Sequence, residues 1–268
     1  MIEILSATTL ATVQDIGRTG ALQWGVGTSG AMDPLALACG NTLLGNPDNA
    51  AAIEVQVFPF RVRFAAQCRF ALTGADCAAQ LDEAPLLPWW VYSAKAGQVL
   101  QLGLPQGGKW RGCRAYLCVS GGIDVPIVLG SRSTQLRGAF GGHEGRALRQ
   151  GDRLPVRASS SSSAEPAFGV VPPALELPLQ VDEMTAVRVV TASEYERFTS
   201  ESQAVFWASP WKITPQSDRY GYRLSGPTIS PIAPMELRSH DPVPTVIQNT
   251  NSVQPTVKMR DAQPSGGY

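Results

Sequence analysis

The chain has 268 residues, of which 44% are hydrophobic and 16% charged, with a formal net charge of zero. That is a globular balance, long enough for one large or two modest cores, too apolar for general disorder and lacking the basic field that holds nucleic acid. Five cysteines (Cys39, Cys68, Cys77, Cys113, Cys118) are an odd number without C-x-x-C spacing, and only His143 and His240 could join them, so neither a disulfide framework nor a metal site is expected.

The opening stretch "MIEILSATTLATVQDIGR" carries Glu3 and no basic segment before an apolar core, so it does not read as a secretory signal. No apolar run elsewhere is long enough to span a bilayer, and reduced thiols suit a cytoplasmic protein. A helix is expected in "SGAMDPLALACGNTLLGNPDN", with Asp33 as N-cap, Pro34 in the first turn and Gly45 as the stop. Strands follow: "FRVRFA" alternates, "CRFALTGADC" runs apolar into a Gly-Ala-Asp turn, and "WWVYSAKAGQVLQLG" and "RAYLCVSGG" are β-branched or aromatic runs ended by glycine. The stretch from Arg157, "RASSSSSAEPAFGVVPPALELPLQVDEM", is rich in serine and proline without periodicity and reads as a linker. It separates an N-terminal β-rich subdomain (1–157) from a C-terminal one (185–268), with 158–184 between them. In the second, Ser200 and Gln203 form a capping-box pattern for a short helix to about Trp207. Few helices and many short strands make the fold mainly β.

Established catalytic signatures are absent: there is no Walker-type phosphate loop, no G-x-S-x-G elbow and no H-E-x-x-H. What remains is four polar, glycine-rich stretches, "TVQDIGRTG", "GTSGAMDP", "LGSRSTQLRGAFGGHEGR" and "TPQSDRYGYRLSG". Each joins Arg or Asp to Gly and to Ser or Thr outside any amphipathic period, as loops that carry sites do. The candidate binding set is Gln14, Asp15, Arg18, Ser29, Asp33, Arg132, Ser133, Arg146, Gln216, Ser217 and Arg219. The arginines can fork onto a carboxylate or phosphate, or pin their own loops by pairing with Asp15, Glu144 and Asp218. Histidine is the side-chain type suited to acid–base work near neutrality, so His143, with Glu144, is a candidate acid or base; a histidine that only braces its loop is the competing reading. The tryptophans, Trp89, Trp90, Trp207 and Trp211, read as core or partner-facing.

These same stretches carry a family resemblance. "TTLATVQDIGRTG", "GTSGAMDPLALACGNTLLGN", "ALTGADC", "AYLCVSGGIDVPIVLGSRST", "GGHEGRALRQGDRLP" and "TPQSDRYGYRLSGP" resemble, in order and over almost the whole chain, the biotin-dependent carboxyltransferase subdomain family. That family is also called allophanate hydrolase subunit 2, and it includes the C subunit of 5-oxoprolinase. The resemblance implies cyclophilin-like β-barrel subdomains with a few short helices. It further implies a component of an ATP-dependent hetero-oligomeric complex that opens 5-oxo-L-proline to L-glutamate. Two alternatives come with it: the carboxyltransferase part of a urea carboxylase-type system, or a non-catalytic regulatory binding protein within a complex. The chain lacks an "AMKM" biotin-attachment sequence, so on the carboxylase reading it would receive a biotin carrier. On the oxoprolinase reading it binds no cofactor, ATP being used by the complex. Departures fall late: Asp241 and Thr245 stand in "SHDPVPT" where the family has glycines, and the chain stops at "SGGY" where relatives continue. The expectation is an incomplete second subdomain with an open sheet edge.

Overall fold

A computed structural model describes residues 1–7, 10–56, 58–104, 112–158, 166–171, 180–181, 184–191, 195–215, 217, 219, 221–233, 246–248 and 256–260. The chain divides into two units, 1–173 and 174–268. In chain order the first holds β1 (Ile2–Ser6), β2 (Thr12–Gln14), α1 (Pro34–Leu43), β3 (Ala52–Val55), β4 (Phe60–Phe64), β5 (Cys68–Gly74), β6 (Gln80–Leu81), β7 (Ala84–Pro85), β8 (Trp90–Ala94), β9 (Val99–Leu102), β10 (Ala115–Val119), β11 (Arg153–Leu154) and β12 (Phe168–Gly169).

Residue alternation sorts these strands into two antiparallel sheets around one core. In β4, Phe60, Val62 and Phe64 are buried while Arg61 and Arg63 face solvent, the period of a half-buried strand. Its sheet runs β11-β1-β4-β9-β6-β7; the other runs β12-β8-β5-β10-β3-β2. Ile2, Ile4, Val62 and Leu100 from the first sheet share a cluster with Val13, Ile53, Phe70 and Leu117 from the second. β10 is buried on both faces. Ala115, Leu117 and Val119 join that core, while Tyr116 and Cys118 pack under α1 with Leu37, Leu44 and Val91. A central strand covered on both sides loses the polar alternation, as "AYLCV" does.

The α1 signals work as read. Asp33 Oδ1 accepts the Ala36 N–H at 2.9 Å, Pro34 opens the helix, and Gly45 adopts φ 69° just beyond its end. Inside the stretch read as linker, Phe168–Gly169 add a short strand to β8.

The second unit holds β13 (Gln180–Val181), β14 (Met184–Arg188), α2 (Ser200–Ala208), β15 (Trp211–Ile213), β16 (Gly221–Ser225), β17 (Val246–Gln248) and β18 (Thr256–Arg260). Its sheet runs β13-β14-β18-β15-β16-β17, antiparallel except where β15 meets β18. Trp211 is the central side chain; its indole N–H donates to the Phe206 carbonyl at 2.9 Å, and Leu224, Phe206 and Trp207 pack with it. In the first unit, Trp89 is likewise buried.

One capping expectation is corrected. The N-cap of α2 is Thr199, extended at φ −61° and ψ 151°, whose hydroxyl accepts the Ser202 N–H at 3.2 Å; Ser200 is already helical. Gln203 closes no capping box but donates backward to the carbonyls of Tyr195 and Phe198. Asp241 and Thr245 lie outside the described residues.

Candidate functional site

Three of the four polar stretches meet in the first unit, and Asp15 is where they are tied. It leaves β2 next to Gln14, a fully buried amide that donates to Thr12 Oγ1 at 2.9 Å and to the Thr134 carbonyl at 3.4 Å. Asp15 is itself buried. Its Oδ1 accepts from the Gly17 N–H (2.8 Å), Ser131 Oγ (2.6 Å) and Ser133 Oγ (2.5 Å), and its Oδ2 from the Arg132 N–H (2.6 Å). A carboxylate taken out of water without such donors would be strongly destabilising; here four supply the lost hydration.

Arg18 is buried to 1% exposure. One terminal nitrogen donates to Ser29 Oγ at 2.7 Å, the other to the Ser133 carbonyl at 2.6 Å, and the guanidinium carbon lies 5.0 Å from the Phe140 ring centroid. Ser133 thus serves Asp15 with its side chain and Arg18 with its backbone. Ser29 is held at φ 53°, and the loop before it runs so close to the Asp15 loop that a Cβ on Gly17 would lie 2.8 Å from the Thr28 carbonyl. Only glycine allows that approach.

Beyond Ser29 the same loop is anchored from below. The Asp33 N–H donates to the Tyr116 hydroxyl at 2.7 Å, and that hydroxyl donates to Glu54 Oε2 at 2.9 Å. Glu54 also accepts the Met32 N–H at 2.8 Å. Burial first, and then Glu54, push the Tyr116 phenol far above its usual range, so it stays a protonated donor.

The "GGHEGR" loop packs onto the "SRST" loop: the Gly142 N–H donates to the Arg132 carbonyl at 3.0 Å, and Gly141 lies against the Ser133 carbonyl and the Arg18 guanidinium. Gly145 sits on the Ala139 carbonyl, where no side chain fits. The space beside these glycines is therefore filled by their own chain and is no open phosphate cradle. Arg146 forks onto Asp152, with N···O distances of 2.7 and 2.9 Å, and also holds Glu144 at 2.7 Å. Its hydrogen bonds are the first cause of an Asp152 carboxyl lowered to about 2, and the Arg149 N–H adds to the effect. His143 Nε2 lies 3.5 Å from Asp152 Oδ1.

Arg132 differs from the other two arginines. Its Nε donates to the Val125 carbonyl at 3.1 Å, and its side chain is partly exposed. In the second unit, Ser217 Oγ accepts the Arg223 N–H at 2.8 Å and closes a turn. Arg219 lies in that same loop, and Gln216 falls outside the described residues.

Residues 24–268 match the family described as the carboxyltransferase domain, subdomain A and B. The chain belongs to that family. This carboxyltransferase-domain chain is 44% identical over its full length to the C subunit of 5-oxoprolinase from Escherichia coli, covering 82% of that protein. Its identity to the corresponding 5-oxoprolinase component of Haemophilus influenzae is 39%, with the same coverage. The urea amidolyase of Lachancea kluyveri is 36% identical over 84% of this chain, which spans only 12% of that longer protein. Among solved structures, the urea carboxylase of Kluyveromyces lactis superposes with a TM-score of 0.67 at 32% identity, over 85% of this chain and 21% of that one. The mainly β reading stands, with antiparallel sheets and few helices in a carboxyltransferase domain.

Several residues that build this site escape a reading of the sequence: Glu54, Tyr116, Ser131 and Asp152. The first two lie on strands as isolated polar side chains in apolar runs, which is the one signal that marks them. Among the described residues, no group of three or more His, Cys, Asp or Glu could hold a metal ion, and no helix is long and apolar enough to cross a membrane.

Proposed function

We propose that the chain serves as the C subunit of an ATP-dependent 5-oxoprolinase, a hetero-oligomer that opens 5-oxo-L-proline to L-glutamate in the cytoplasm. The observation that carries this reading is the 44% identity to the Escherichia coli protein along the whole of this chain. The lactam is a stable amide and requires activation, which ATP would supply through another component of the complex. Gly141 and Gly145, packed against backbone of their own chain, support placing the nucleotide elsewhere in the complex. Within the first unit the interlocked loops of Asp15, Ser29, Ser133 and His143 would act as a preorganised rim, with Arg132 and His143 its accessible polar groups. His143 and Glu144 are the candidates for proton transfer, His143 being braced by Asp152.

The likeness to urea amidolyase and urea carboxylase favours a second reading, transfer of a carboxyl group delivered on a biotin carrier. Affinity purification of the tagged chain from its native host separates the two. Recovery of the other 5-oxoprolinase components supports the first; recovery of a biotinylated carboxylase overturns it.

A further inference from the structure

We propose that Arg132 is the receptor for a substrate carboxylate, an inference that rests on the 5-oxoprolinase reading for the identity of that substrate, 5-oxo-L-proline. The three loop arginines have separate fates. Arg18 is enclosed between Ser29, Ser133 and the Phe140 ring. Arg146 holds two carboxylates, Asp152 and Glu144. Arg132 is fixed through its backbone, the N–H on Asp15 and the carbonyl on the Gly142 N–H, while among the described residues its side chain makes one bond, from Nε to the Val125 carbonyl. Among the described residues nothing bonds its terminal nitrogens.

Among the described residues no carboxylate forms an ion pair with its guanidinium, and the acids of the adjoining loops have other partners. Asp15 has four donors, Asp152 and Glu144 face Arg146, and Asp124, next to Val125, faces Arg157 at 3.9 Å. A guanidinium whose Nε is pinned keeps its plane, so the terminal edge offers two parallel N–H groups with little further loss of freedom. That is the geometry a carboxylate accepts. The turn before Arg132 is strained, with Leu129 at φ 52°, and it exposes Ile127 and Leu129, apolar surface suited to the methylenes of a lactam ring.

The test follows the Arg132 side-chain N–H signals by NMR in the full chain, assigned by their loss in R132Q. Titrants are 5-oxo-L-proline and its carboxamide, with acetate and acetamide as a matched pair. The expected result is that these signals shift with the acids and not the amides, and that 5-oxo-L-proline binds about 10- to 100-fold more tightly than its carboxamide, a preference R132Q abolishes. Response to acetate with no gain from 5-oxo-L-proline keeps the receptor and removes the lactam reading. Silence toward both acids, or an acid preference that survives in R132Q, overturns the receptor.

Discussion

Asp152 is the residue on which the glycine-rich loop closes. Its carboxyl is lowered to about 2, so its contribution to stability is complete above the ordinary carboxylate range and is lost as pH falls from about 4 toward 2. Partial exposure screens the pair, leaving about 1 kcal/mol in that window. The melting temperature of the native chain should therefore drop more steeply between pH 4 and 2 than that of Asp152→Asn; parallel curves would show that the pair contributes nothing. The sequence suggests Glu144 as the partner of Arg146 because it lies two residues away. Asp152 reaches the same guanidinium only because a turn at Arg149 folds it back, with the Arg149 N–H on Asp152 Oδ2 at 2.8 Å. Cysteine chemistry is a second case at this scale. Burial pushes the Cys77 and Cys118 thiols up to about 12, whereas Cys113 is exposed. An aromatic disulfide reagent at pH 8 should modify Cys113 rapidly and leave Cys77 and Cys118 intact until the chain unfolds. Fast labelling of Cys118 in the folded chain would contradict the packing of α1 on β10.

At the scale of elements, local chemistry is readable and tertiary pinning is not. Asp33, Pro34 and Gly45 announce α1 because capping acts within one helical turn. The start of α2 falls one residue from its expected place because Thr199 and Ser200 can both cap, and only backbone conformation decides which does. Tyr116 gives no such cue: the group it serves, Asp33, is 83 positions away. Removing its hydroxyl in Tyr116→Phe takes the acceptor from the part-buried Asp33 N–H and one of the two donors from Glu54 Oε2, a loss of about 1–3 kcal/mol. Chemical denaturation should show that decrease, with faster hydrogen exchange at Met32 and Asp33. A change below about 0.5 kcal/mol would mean that the loop is held without this bridge.

For the whole molecule, composition and strand pattern make the mainly β character legible, while the sheet orders are not. β10 pairs with β5 and β3, partners chosen by burial on both faces, which one sequence does not encode locally. The two units also differ in core. Among the described residues, Trp211 and Leu224 are the buried centre of the second unit's cluster, against the many-membered core between the two sheets of the first. Hydrogen exchange should accordingly protect β10 strongly and β14 weakly; equal protection would make the second unit as stable as the first. The four polar stretches look alike in the sequence, and three of them interlock around Asp15. The decisive measurement on function is L-glutamate formation from 5-oxo-L-proline and ATP by the purified complex, assembled with and without this chain. Turnover that requires the chain, and falls when Arg132 is replaced by Gln, is the predicted result. Equal turnover without the chain, or none with every component present, would contradict its role in a 5-oxoprolinase.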